Sequence, residues 1–121
     1  MKSMLALIAL LVCVLPANAV GTPDKQFDAF YAKFKTALVK NDKNALADLT
    51  RLPFLYDSKK LDKKQFIARL NEIIPHSAAA CLRKEKAITD HNVTEVFCGE
   101  AIYCFEKING QYKFTEIGVN D

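Results

Sequence analysis

The chain has few of the residues and patterns that mark common activities. Its four glycines are not clustered, so it lacks the glycine-rich loop that cradles phosphates. Its four cysteines include no CxxC pair, which argues against a zinc site. It has two histidines, and no Ser-His-Asp or Cys-His nucleophilic set has supporting context. A net charge of +3 over 121 residues predicts no nucleic-acid partner. We therefore expect no metal and no cofactor.

A long membrane-spanning run is also missing, and the one apolar run has another explanation. Residues 4–15 are apolar but too short to span a bilayer, which takes about 20 residues. Lys2 precedes this run, Pro16 ends it, and residues 17–19 (Ala-Asn-Ala) form a small-x-small cleavage site. Acylation of Cys13 is disfavoured because Val12 is too large for a lipoprotein site. We expect residues 1–19 to be a signal peptide cleaved after Ala19. Residues 20–121 would then be one exported domain, periplasmic or secreted, with no membrane span.

Three cysteines remain after this cleavage, and an oxidising compartment would allow one disulfide. Residues 80–88 and 93–98 flank a polar loop and are interpreted as strands, so a hairpin would bring Cys81 close to Cys98. A Cys98–Cys104 pair fits less well, because side-chain alternation points Cys104 to the opposite face. The sequence thus favours a Cys81–Cys98 bridge with Cys104 free and buried. Three unbonded thiols are the alternative.

The first half of this domain has helical periodicity and clear capping signals. Residues 22–24 (Thr-Pro-Asp) predict the start of a helix that runs to about Lys40. Its apolar stripe consists of Phe27, Phe30, Tyr31, Phe34 and Leu38. A second helix is predicted over residues 43–50. A third begins at Asp62, with Gln65 completing a capping box, and ends at Pro75.

From Ser77 onward the apolar period changes to two, which predicts strands. Two of these strands, residues 101–108 and 111–119, flank Asn109-Gly110, a strong type I′ hairpin signal. A regular register places 105 opposite 114 and 103 opposite 116. One face then carries Tyr103, Phe105, Tyr112 and Phe114. The other carries Ile102, Cys104, Ile108, Thr115 and Ile117, with Glu106 and Lys113 as an ion pair. Helices followed by strands indicate an α+β fold with an antiparallel sheet.

Three segments resemble small exported members of the nuclear transport factor 2-like superfamily: "FDAFYAKFKTAL", "NDKNALADLTRLPF" and "YCFEKINGQYKFTEIGV". The resemblance covers nearly all of residues 20–121. It implies a cone-shaped fold, in which N-terminal helices pack on a curved antiparallel sheet and a cavity lies between the first helix and the concave face. The candidate pocket residues are then Phe27, Phe30, Tyr31, Phe34, Tyr103, Phe105, Tyr112 and Phe114. The superfamily contains isomerases, dehydratases, cyclases, transport factors and binding modules, so the fold does not select a function.

Enzymes of this superfamily place a general base, usually Asp or His, in the cavity. The candidates here are weak: we expect His76 and His91 on the surface, Asp28 partly off the aromatic stripe, and Glu116 opposite Tyr103 but reaching solvent. We therefore expect a non-enzymatic domain that binds a small apolar ligand or a protein partner. The alternative is a cavity enzyme of isomerase or dehydratase type.

A third hypothesis concerns self-association. If the outer sheet face were partly uncovered, a homodimer could form there through Ile102, Ile108 and Ile117.

Overall fold

The computed structural model describes residues 21–120, and the expected signal peptide lies outside this range. The helices are α1 Lys25–Lys40, α2 Lys43–Asp48, α3 Lys63–Ala68, α4 Leu70–Ile73 and α5 His76–Lys84. The strands are β1 Phe54–Tyr56, β2 Lys59–Leu61, β3 Ile88–Asp90, β4 Val93–Cys98, β5 Ala101–Ile108 and β6 Gln111–Val119. Strands β3 to β6 form an antiparallel sheet in sequence order, and β1 and β2 form a separate hairpin. The α+β class with antiparallel pairing is confirmed.

Helix α1 begins two residues later than predicted. Asp24, rather than Thr22, is the N-cap: its backbone is extended and its carboxylate accepts a 2.8 Å hydrogen bond from the amide of Phe27. The helix ends at Lys40 as expected, because Asn41 adopts a left-handed conformation with φ of 53°. Its aromatic stripe is buried, which fixes the side of the helix that faces the sheet.

The next two helices begin where predicted, but each ends earlier than predicted. Asp42 caps α2, which ends at Asp48 rather than at residue 50. The predicted capping box of Asp62 and Gln65 starts α3. The helix is interrupted at Arg69 (φ −106°, ψ 11°), so the predicted third helix is two short ones, α3 and α4.

Residues 76–84 were expected to belong partly to a strand, and that expectation is wrong, because they form helix α5. Ala78, Ala79 and Ala80 are consecutive, and alanine is the strongest helix former. Ala78 and Leu82 lie four residues apart and are both buried, so the segment has an apolar helical face. Two-residue periodicity starts only at β3.

The hairpin of β5 and β6 has the predicted turn but not the predicted register along its whole length. Asn109 and Gly110 both have positive φ, and Phe105 pairs with Phe114 as expected. Beyond that pair, Thr115 is an extra residue in a β-bulge, so Tyr103 pairs with Ile117 and Cys104 with Glu116. The Thr115 hydroxyl lies 3.2 Å from the Cys104 carbonyl oxygen and 3.0 Å from a Glu106 carboxylate oxygen.

The bulge moves two side chains to the faces opposite those expected. Ile117 packs against the core beside Tyr103, and Glu116 joins Cys104 on the outer face of the sheet. The expected ion pair of Glu106 and Lys113 has the right register, but Lys113 donates to the Asp48 carbonyl at 2.7 Å instead.

Other parts of the chain pair with both edges of the four-stranded sheet. At one edge, Gly21 and Thr89 of β3 exchange backbone hydrogen bonds of 2.9 and 2.8 Å. At the other edge, the Phe114 amide donates to Leu49 and the Arg51 amide donates to Phe114, both at 2.9 Å. The two edges are therefore partly paired within the molecule.

The cysteine pairing was predicted correctly, although the geometry behind it was not. Cys81 and Cys98 are bonded, with their Cα atoms 5.8 Å apart. Cys81 lies on α5 and not on a strand, so the bridge ties a helix to β4 instead of two neighbouring strands. Cys104 is free and buried, as predicted.

Candidate functional site

The residues expected to line a pocket lie together in the interior. Seven are buried and Tyr112 is half-buried. We call this set the ring cluster: Phe27, Phe30, Tyr31, Phe34, Tyr103, Phe105, Tyr112 and Phe114. Helix α1 supplies four of these rings, and the facing surface of β5 and β6 supplies the other four.

Contacts within the ring cluster are direct. The Phe105 ring centroid lies 5.3 Å from that of Phe34, 5.5 Å from that of Tyr31 and 5.7 Å from that of Phe27, each edge to face. Tyr112 closes one end of the cluster, with its centroid 5.2 Å from that of Phe27. These separations are those of touching aromatic rings. The eight side chains thus form much of the core between α1 and the sheet.

Two hydroxyls in the ring cluster are bonded to the backbone. Tyr31 donates to the Leu82 carbonyl at 2.6 Å, and Tyr103 donates to the Ile73 carbonyl at 3.2 Å. Burial raises the pKa of Tyr103 to about 12, with a smaller contribution from Tyr56, and burial also raises the pKa of Tyr31. Both hydroxyls remain neutral donors at physiological pH, and their pKa values move away from the range that suits acid–base catalysis.

The acid–base candidates are not brought together. His76 is exposed at the start of α5, and His91 is exposed in the turn between β3 and β4, where it contacts Asp90. Asp28 is exposed on α1. Glu116 is exposed and does not lie opposite Tyr103, because the bulge turns it to the outer face. The ring cluster itself contains none of these groups.

The free thiol of Cys104 lies on the outer face between two carboxylates. Glu95 and Glu116 are its neighbours on the adjacent strands. The pKa of Cys104 is raised to about 12, mainly by burial and to a smaller extent by repulsion from Glu116 and Glu95. The thiol therefore stays protonated and is a poor nucleophile. Within residues 21–120, no three His, Cys, Asp or Glu side chains are placed to hold a metal ion.

The sequence did not predict the largest opening we describe, which lies beside the ring cluster and not inside it. Its volume is about 710 Å³, and it lies between the end of α1 and the helices α2, α4 and α5. We call it the α1–α5 cleft. It is lined by Leu38, Val39, Asn41, Leu46, Leu70, Asn71, Ile74, His76, Ala79 and Arg83.

The floor of the α1–α5 cleft is apolar and its rim is polar. Leu46, Leu70 and Ile74 are buried and form the floor. Asn41 and Asn71 are exposed on the rim. Helix α5 forms one wall of the cleft. Helix residues spaced by three and four positions lie on the same face. His76, Ala79 and Arg83 have this spacing and all line the cleft.

The ionisable groups of the α1–α5 cleft are His76 and Arg83, and no acidic side chain belongs to its lining. A shallower depression of about 430 Å³ adjoins it and shares Val39 and Arg83 with it. Lys35 and Lys40 border this depression, which also has no acidic side chain in its lining. The cleft thus opens onto a positively charged surface.

Sequence reasoning missed the α1–α5 cleft because it interpreted the start of the α5 segment as extended. The signal that could have revealed the helix was the alanine run after Pro75, together with the spacing of His76, Ala79 and Arg83. Even with α5 assigned, a cleft depends on how far apart the helices lie, which periodicity does not report.

Comparison of the chain with protein-family models, curated proteins and solved structures found no match. Within the described residues, no helix is long and apolar enough to cross a membrane.

Proposed function

We propose that the protein is a small exported, non-enzymatic domain of the nuclear transport factor 2-like type, and that it binds a small apolar ligand in the α1–α5 cleft. The observation that carries this proposal is the cleft itself, with its apolar floor of Leu46, Leu70 and Ile74. Its volume of about 710 Å³ falls in the range of about 300–1,000 Å³ typical of small-molecule sites.

The proposed ligand site is the α1–α5 cleft and not the ring cluster. A pocket between α1 and the sheet was the first expectation, but those side chains pack on one another with centroids 5–6 Å apart. In the proposed arrangement they hold the domain together and leave binding to the neighbouring cleft. The cone-shaped superfamily fold is supported by the order of elements and by the packing of the α1 stripe on one sheet face.

Export is supported by the chemistry of the cysteines. A Cys81–Cys98 disulfide is consistent with an oxidising compartment. The N-terminal pattern that favours cleavage after Ala19 supports the same conclusion from an independent part of the chain.

The enzyme alternative receives less support. A cavity isomerase or dehydratase would need a titratable group in an enclosed apolar site, with its pKa tuned towards neutrality. Burial of Tyr103 tunes its pKa in the other direction, and both histidines are exposed.

A homodimer through the outer sheet face also receives less support. Ile117, one of its three expected contacts, packs on the core. The same face carries Glu95 and Glu116 beside Cys104, so two copies that met there would bring like charges together.

The cleft can be tested by filling it. A neutral naphthylamine dye, whose fluorescence rises in apolar surroundings, should bind the wild-type protein. Ala79→Phe places a ring between the walls of the cleft and should abolish this signal. Ala29→Phe is the matched control, because Ala29 is exposed on α1 and does not line the cleft. Dye binding that survives Ala79→Phe, or that Ala29→Phe abolishes equally, would contradict the proposal.

A further inference from the structure

We propose that the ligand of the α1–α5 cleft is a single-chain amphiphile with an anionic head, a carboxylate or a phosphate, which pairs with Arg83. This inference rests on the proposed function, because it names the chemical class for the same cleft. The apolar tail would lie on the floor of Leu46, Leu70 and Ile74.

Arg83 is placed to receive such a head. It is exposed near the C-terminal end of α5, where the α1–α5 cleft meets the adjoining depression. None of the ion pairs formed among residues 21–120 uses Arg83, so its charge has no direct counter-ion within that range. A guanidinium offers a planar fork of donors that fits a carboxylate or phosphate with two parallel hydrogen bonds.

The surroundings of Arg83 strengthen the preference for an anion. Lys35 and Lys40 border the adjoining depression on the side of α1, and neither that depression nor the cleft has an acidic side chain in its lining. Asp28 and Glu85 line a third depression that Lys35 and Arg83 also border, but Lys84 and Lys86 line it as well, so basic groups outnumber acidic ones there. An anion would therefore meet attraction at this end of the cleft, and a cation would meet repulsion.

The head belongs at Arg83 and not at His76, the other ionisable group of the lining. The two residues are seven positions apart on α5, which is about 10 Å along the helix axis. Ala79 separates them and contributes only a methyl group. Arginine keeps its charge at every physiological pH, whereas a histidine does not. The lysines also lie at the Arg83 end, so the strongest attraction for an anion is there.

The test compares three ligands that share one tail: decanoate, decanol and decyltrimethylammonium, each measured by displacement of the neutral naphthylamine dye. Wild-type protein should bind decanoate about tenfold or more tightly than decanol, as expected for a hydrogen bond to a charged group. It should bind the cation least tightly. Decyl phosphate, measured alongside, should also bind more tightly than decanol, and its rank against decanoate identifies the preferred head.

Two variants assign the effect to Arg83. Arg83→Gln should remove most of the difference between decanoate and decanol affinity and leave decanol affinity unchanged. Lys84→Gln removes the same charge from the next residue, which is outside the cleft lining, and should keep the preference for decanoate. Thermal unfolding of both variants checks that each remains folded.

The outcomes separate this inference from the proposed function. Equal affinity of the wild type for decanoate and decanol, or an anion preference that persists undiminished in Arg83→Gln, would overturn the pairing of an anionic head with Arg83 and leave the cleft as a site for apolar ligands. If neither the dye nor any ligand bound the wild type, both proposals would fail.

Discussion

Helix α1 borders two regions of the molecule that differ in how completely they are filled. Along its first three turns, Phe27, Phe30 and Phe34 meet the rings of β5 and β6, and little of their surface is exposed. At its last turn, Leu38 and Val39 border the α1–α5 cleft, and Val39 is 67% exposed. The two regions are continuous along one helix, yet one is core and the other is open.

The difference follows from the size of the α1 side chains and from the elements that they face. Large rings reach from α1 to the rings of Phe105 and Phe114 and fill the space between helix and sheet. Beyond Phe34 the stripe continues with smaller aliphatic side chains, which face short helices and not the sheet. One apolar stripe thus forms core over part of its length and lines an open cleft over the rest.

The largest expected effect comes from emptying the filled region. Phe34→Ala removes a fully buried ring whose centroid lies 5.3 Å from that of Phe105. We expect the free energy of unfolding to fall by about 3–5 kcal/mol, measured by urea denaturation. A loss below about 1 kcal/mol would mean that the ring cluster is not tightly packed and would remove the contrast with the cleft.

The next effect concerns the bridge that holds α5, one wall of the cleft, against β4. Replacing both Cys81 and Cys98 with serine opens a loop with a sequence separation of 17 residues. In the chain-entropy model this lowers the unfolding free energy by about 3 kcal/mol. Cys104→Ala is the control, since Cys104 is free. If the double variant were no less stable than the control, α5 would be held in place without the bridge.

Alkaline pH should lower the free energy of unfolding through the buried tyrosines of the ring cluster. The pKa of Tyr103 is raised from 10.0 to about 12, mainly by burial. Because the folded-state pKa is raised, the stabilisation is complete below pH 10, the ordinary tyrosine value, and is lost as pH rises from there to about 12. A shift of this size corresponds to at most about 3 kcal/mol.

Urea denaturation at successive pH values, with tyrosinate absorption as a second signal, measures this loss. Tyr103→Phe should reduce the decline, although buried Tyr31 and Cys104, whose pKa values are also raised, keep part of it. Tyr56→Phe should reduce the decline only slightly, since Tyr56 makes the smaller contribution to the raised pKa of Tyr103. An identical decline in wild type and Tyr103→Phe would show that Tyr103 makes no contribution to it.

The smallest expected effect is at the open region. Val39→Ser changes an exposed side chain on the same helix as Phe34 and should alter the unfolding free energy by no more than about 0.5 kcal/mol. It should nevertheless weaken dye binding, because Val39 lines the cleft. A large loss of stability would mean that this end of α1 is packed as tightly as the other.

The sequence predicted the elements that have strong local signals. The stripe of α1, the capping box of Asp62 and Gln65, and the Asn109-Gly110 turn are each encoded within a few residues, and each was found. The bulge at Thr115 was missed because it depends on contacts made after the strands have paired.

The cysteine pair was predicted for the wrong local reason. The hairpin of β3 and β4 does exist, but it begins after Cys81, which is carried to Cys98 by helix α5. The α1–α5 cleft could not be predicted, since its volume depends on how far α1 and α2 lie from α4 and α5, and residues 49–69 separate these two pairs along the chain.

Aggregation at high protein concentration depends on the edges of the sheet. Here Gly21 pairs with Thr89 at one edge, and residues 49–51 pair with Phe114 at the other. An edge strand with unpaired backbone N–H and C=O groups can pair with a strand from a neighbouring molecule. Repeated addition of this kind builds fibrils. Here an incoming strand would first have to displace the chain segment that pairs with Thr89 at one edge or with Phe114 at the other. High local concentration should therefore not by itself drive the folded protein into sheet-extended polymers.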